Sequence, residues 1–174
     1  MPSTLNFSAR LLCLMSLLLS PFSVSATMNQ NELRVAGKVL ASVPQLPDSV
    51  KVGIIYNEKS GTSAKEAERL QEMMVDGFET GRLTLQPTLI PIGQLRRLDA
   101  VDVAIVTDGM TAYYKTIAAA TTARKVLSLS TDLNCVKSGY CLLGVEVRPR
   151  VNLLVNADQA AEIGVSFSDG MRIN

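Results

Sequence analysis

The chain has 174 residues, 47% of them apolar, with 11 glycines, three cysteines, and neither histidine nor tryptophan. That length and apolar content suit one domain with a buried core and exclude a disordered polar segment. Seventeen Lys and Arg residues stand against 16 Asp and Glu, a net charge of +1 with no basic cluster, which argues against a nucleic-acid or anionic-lipid partner.

The first 26 residues have the layout of a secretory signal peptide: Arg10, an apolar run from Leu11 to Leu19, a break at Pro21, and the small-residue site Val24-Ser25-Ala26. The run is shorter than the roughly 20 apolar residues of a membrane-spanning helix. Cleavage is expected after Ala26, with 27–174 forming a single exported domain in the periplasm. Cys13 would leave with the leader, and the loss of Arg10 leaves 16 basic against 16 acidic residues.

In the mature part, "NELRVAGKVLASV" places Leu33, Gly37, Leu40 and Ala41 at helical spacing, and two prolines end it. "KVGIIY", Lys51 to Tyr56, is a β-branched run suited to a strand buried on both faces. After the loop "NEKSGTS", Ala67, Leu70, Met74 and Phe78 mark an amphipathic helix, with Ser60, Thr62 and Ser63 available as caps. "LTLQPTLIPI" reads as a strand pushed toward an edge by Pro87 and Pro91. "GQLRRL" is a short helical segment, "VDVAIVT" (Val101 to Thr107) a buried strand, "DGMTAYYKTIAAATTA" a helix, and "KVLSLST" a further strand.

"CLLGVEV" and "VNLLVN", joined by "RPR", form an antiparallel hairpin; "ADQAAEIG" is a short helix and "VSFSDGMRI" a closing edge strand. The expected fold is therefore α/β: a mainly parallel sheet with helices on both faces, a Rossmann-like single lobe, closed by a C-terminal antiparallel hairpin.

Once the leader is gone, Cys135 and Cys141 remain as an even pair in an exported chain, which reads as a disulfide. Structural zinc needs four Cys or His ligands, and redox pairs usually have two residues between their cysteines rather than five. A regulatory redox switch stays open beside the structural staple. "NEKSGTS" lacks the glycine spacing and the Lys-Ser/Thr pair of a nucleotide loop, though a helix N-terminus can hold an anion. In open parallel sheets ligands bind beyond the strand ends. Asn57, Ser60, Asp108 and Thr111 are the candidate residues for such a crevice, against the simpler reading of Asp108 and Thr111 as turn and cap. Without histidine there is no ordinary Ser-His or Cys-His nucleophile and no paired carboxylate in a recognisable setting, so neither enzyme activity nor a metal or cofactor is expected.

"GYCLLGVEVRPRVNLLVNADQAAEIGVSFS" resembles the closing pattern of the YfiR-like family of periplasmic proteins: glycine, hairpin, a strand ending at Asn156, an Ala-rich helix with Ala160 and Ala161, then Gly164. "ELRVAGKVLASVPQLPDSVKVGIIYN" is similar to the family's opening helix, proline and first strand. The chain departs from the family in having no Trp, Val43 before Pro44, and no cysteines for a second disulfide. The resemblance implies a non-catalytic regulator, often a homodimer, that docks on the periplasmic portion of an inner-membrane signalling protein such as a diguanylate cyclase and holds it inactive. It also implies that the Cys135–Cys141 disulfide supports the fold. "KVGIIYNEKSGTSAKEAERLQ" followed by "DAVDVAIVTDGM" is similar to one lobe of the ABC-importer substrate-binding proteins. That second likeness implies a small-molecule ligand, bound by a reduced-size solute-binding protein.

Overall fold

The computed structural model describes residues 27–147 and 149–167. The expected leader (1–26), Arg148 of the hairpin connection and 168–174 of the expected closing strand lie outside the described residues.

Helix α1 (Gln30–Leu40) starts from a capping box: the Asn29 side chain accepts from the Asn31 and Glu32 N–H groups, and Glu32 accepts from the Asn29 N–H at 2.7 Å. Strand β1 (Ser49–Tyr56) follows, then α2 (Gly61–Met74), β2 (Phe78–Thr80) and β3 (Leu83–Pro91). A 3₁₀ segment (Ile92–Ala100) leads to β4 (Val103–Val106), and a 3₁₀ turn (Thr111–Tyr113) opens into α3 (Tyr114–Arg124). Strand β5 (Leu127–Ser130), α4 (Leu133–Lys137), the strands β6 (Leu143–Glu146) and β7 (Asn152–Val155), and α5 (Ala157–Ile163) complete the order.

One seven-stranded sheet runs β2-β3-β1-β4-β5-β6-β7. The central pairs β3-β1, β1-β4, β4-β5 and β5-β6 are parallel, while β2-β3 and the expected hairpin β6-β7 are antiparallel. The period of two sorts the strand residues. Val52 and Ile54 of β1 join Val103 and Ile105 of β4 and Leu129 of β5 in a core with α1 and α2. Ile55, Ala104 and Val106 face the other way, into a core with Leu98, Ile117 of α3 and Cys135 of α4. Helices therefore cover both faces, which is why β1 and β4 read as continuous apolar runs.

Three expectations are corrected. Phe78 does not extend α2: the helix stops at Met74, Gly77 takes φ +85°, and Phe78 begins β2. Its spacing of four from Met74 imitates a helical stripe because both side chains enter the same core. Strand β3 is not an edge along its whole length: β2 pairs with Leu83–Leu85, and the outer side is left to Gln86–Pro91, where the prolines lie. Residues 165–167 are irregular rather than strand, with Val165 and Phe167 packed on the core and Ser166 accepting from the Gln45 side chain.

Candidate functional site

The sheet order changes direction at β1, with β3 on one side and β4 on the other. The loops after β1 and β4 accordingly meet at the switch point, where folds of this kind place ligands. Asn57 and Ser60 come from the first loop, Asp108 and Thr111 from the second, so the topology brings all four to one corner.

Their side chains there are engaged in local structure. Asn57 Oδ1 accepts from the Lys59 N–H at 3.0 Å, and Asp108 Oδ1 accepts from the Gly109 N–H at 2.8 Å. Ser60 is the N-cap of α2, accepting from the Ser63 N–H at 3.4 Å. Thr111 opens the 3₁₀ turn and is exposed. The two loops nearly touch: a Cβ added at Gly109 would lie 3.7 Å from Ser60 Oγ.

Beneath this corner lies a buried polar cluster that the spacing rules did not single out. Ser63 Oγ accepts from the Asn57 N–H at 2.9 Å and sits 2.7 Å from Thr107 Oγ1. Thr107 in turn donates to the Ile55 carbonyl at 3.0 Å, and both hydroxyl residues are fully buried. Glu66 is 2% exposed and divides its carboxylate between two backbone donors. Oε1 accepts from the Met28 N–H at 2.5 Å, and Oε2 accepts from the Asp108 N–H at 2.7 Å. Arg69 donates to the Met28 carbonyl at 2.9 Å, so the segment before α1 is tied to α2 at both backbone polar groups. Burial raises the Glu66 carboxyl above its ordinary value of 4.5, and outweighs the two N–H donors and Arg69, which pull it down. The available signal was the i, i+4 series Glu66, Leu70, Met74, which puts a carboxylate on the apolar face of α2.

Beside the cluster, Thr27, Gly61, Thr62, Lys65, Arg69 and Glu66 itself line an open groove of about 540 Å³ at the start of α2. Its two cations are consistent with the general affinity of helix starts for anions, but Ser63 is turned inward and presents no hydroxyl to it.

Cys135 and Cys141 form a disulfide, with Cα atoms 5.2 Å apart. Cys135 lies on α4, an element too short to show helical periodicity, and Ser138-Gly139 turns the chain with Gly139 at φ +80°. Cys141 lies two residues before the start of β6, so the ring ties α4 to the strand shared by the parallel sheet and the hairpin. A ring of this size contributes about 2 kcal/mol by loop closure. Replacing both cysteines with alanine, or reducing the native chain, is expected to lower the calorimetric melting temperature by about 4–8 °C. An unchanged transition under reductant would show that the ring adds no stability.

Nearby, Tyr114 donates to Asp132 Oδ2 at 2.6 Å, and Asp132 also caps α4 by accepting from the Asn134 N–H. Burial, followed by the Asp132 carboxylate, raises the phenol above its usual range, which keeps it a donor. Among the described residues no helix is long and apolar enough to cross a membrane.

No family model matches the chain, and no curated protein matches it. Among solved structures, a Streptococcus pneumoniae protein described as an ABC domain in complex with L-Trp is similar, with a TM-score of 0.57 and 13% identity. A conserved domain protein of Vibrio cholerae has a TM-score of 0.58 and 12% identity. Each likeness covers 80% of this chain but 56% of the other, so the chain spans little more than half the length of these proteins, and at such identity the likeness shows the α/β fold alone.

Proposed function

We propose that the chain is a non-catalytic binding protein that acts by presenting its surface to a protein partner. The observation that carries this reading is the crevice at the β1 and β4 ends. Its buried acceptors, Glu66, Ser63 and Thr107, are spent on the chain's own groups, and its two loops are in near contact. A pocket that captures solute by hydrogen bonding needs polar groups left over for it, and a catalytic site needs a base or nucleophile poised beside open space.

The YfiR-like pattern supports a finer reading: an exported regulator, often a homodimer in that family, that docks on the periplasmic portion of an inner-membrane signalling protein, such as a diguanylate cyclase, and keeps it inactive. Several local features suit it. Asn156 caps α5 by accepting from the Gln159 N–H at 3.1 Å, Gly164 ends the helix at φ +75°, and both follow the hairpin in the order that pattern implies. A disulfide also suits an oxidising compartment. The test is crosslinked affinity capture from intact cells with the native chain beside the Cys135→Ala/Cys141→Ala variant. Recovery of one membrane signalling protein by the native chain supports the reading, and recovery of none rejects it.

A second reading, a solute-binding protein of reduced size, is supported by the fold likeness to the pneumococcal domain in complex with L-Trp. It predicts that L-Trp or a related solute raises the melting temperature by several degrees, and that Asp108→Ala removes the effect.

A further inference from the structure

Helices α3 and α5 enclose a groove of about 490 Å³ on the side of the molecule that carries the disulfide ring. Its floor is made of small side chains, Ala118, Ala119 and Ala123, on a helix that shows no single apolar face. Into it reaches Gln159, a residue only 5% exposed. One end of its amide, Nε2, donates to Thr122 Oγ1 at 3.5 Å; the other, Oε1, is a buried oxygen with no partner among the described residues. A buried carbonyl without a donor is destabilising, so a site that retains one is suited to a ligand that supplies the donor.

The charges along the groove are ordered. Lys115 stands at one end with Tyr140, whose ring lies 6.4 Å from that of Tyr114, the neighbour of Lys115 in the chain. At the other end are Thr122, Gln159 and, one helical turn along α5, Glu162. Lys115 and Thr122 are seven residues apart on α3, about 10 Å at 1.5 Å per residue. An extended tripeptide spans about the same distance at 3.3–3.6 Å per residue.

We propose that this groove is a binding site for a short peptide with free ends, about three residues long and small in side chain. Its α-ammonium donates to Gln159 Oε1 and faces the Glu162 carboxylate; its carboxylate pairs with Lys115; and the alanine floor admits small side chains only. The site is separate from the β1/β4 crevice and does not depend on the docking reading.

The test is calorimetric titration of the folded chain with tri-alanine, with its N-acetylated and C-amidated forms, and with free alanine. Tri-alanine is expected to bind, and blocking either end to weaken it about tenfold or more, since each block removes a charge-assisted contact. Ala119→Phe, at an exposed position, should abolish binding by filling the floor, and Gln159→Leu should abolish it while the melting temperature holds. No heat of binding for tri-alanine, equal affinity for free alanine, or binding indifferent to end-blocking and to Ala119→Phe would each overturn the assignment.

Discussion

Replacing Glu66 with leucine is expected to lower the unfolding free energy by about 2–6 kcal/mol, because it strands two N–H donors at about 1–3 kcal/mol each. Those donors belong to Met28, at the entry to α1, and Asp108, at the exit of β4, so one side chain holds two chain segments that are distant in sequence. Glu66→Gln keeps one acceptor oxygen and should cost about half as much. The variants also separate by pH. Because burial raises the native carboxyl, the folded state binds the proton more tightly than the unfolded chain. The contribution of Glu66 is thus fully present below pH 4.5 and shrinks as pH climbs through the raised native value. Urea unfolding of native chain and Glu66→Gln across that window should show a steeper loss with rising pH in the native chain. Parallel profiles would mean that Glu66 titrates as an ordinary surface carboxylate.

Gly37→Val should be nearly as damaging, at about 3 kcal/mol, a loss of roughly 6–12 °C in melting temperature. A Cβ at Gly37 would fall 2.1 Å from Thr80 Cγ2 and 2.6 Å from Thr80 Oγ1, and Thr80 is held in place by donating to the Arg34 carbonyl at 3.3 Å. Helix α1 packs on β2 through this missing side chain. By intrinsic propensity alone, replacing a mid-helix glycine gains stability, so the sign of the effect reports the contact. Gly61→Ala is the comparison: nothing lies within 4 Å of its Cβ, and it should be neutral or slightly stabilising. Equal melting temperatures for Gly37→Val and the native chain would remove the close approach of α1 to β2.

Much of the architecture was legible because its signals are local. Strands β1 and β4 are short β-branched runs, α2 carries a four-residue apolar repeat, and Gly164 and Asn156 mark the ends of α5. What escaped depends on contacts between distant segments. Phe78 keeps the helical interval while belonging to β2, because a glycine with positive φ reverses the chain without disturbing the spacing. Strand β2 has three residues and α4 five, each too short for its period of two or 3.6 to repeat.

The site divides in the same way. Asn57, Ser60, Asp108 and Thr111 were placed from the rule that ligands lie beyond strand ends, and the fold does gather them there. The turn at Asp108 and the cap at Ser60 are local and were among the readings the sequence allowed, whereas the gathering of Ser63, Glu66 and Thr107 into a buried cluster follows from how α2 lies across the loops, which no single segment encodes. Glu66 and Gln159 share one trait that sequence does carry: each is a polar residue on the apolar face of its helix. Such residues repay scrutiny, since a buried polar side chain must find a partner in the fold or in a ligand.

The central claim, inhibition of a membrane signalling protein by surface docking, is tested most directly by the intracellular level of cyclic di-GMP in cells lacking this chain. A rise over the parent cells is expected, reversed by the full chain but not by residues 27–174 made alone. An unchanged level on deletion, or full reversal by the chain retained in the cytoplasm, would contradict it.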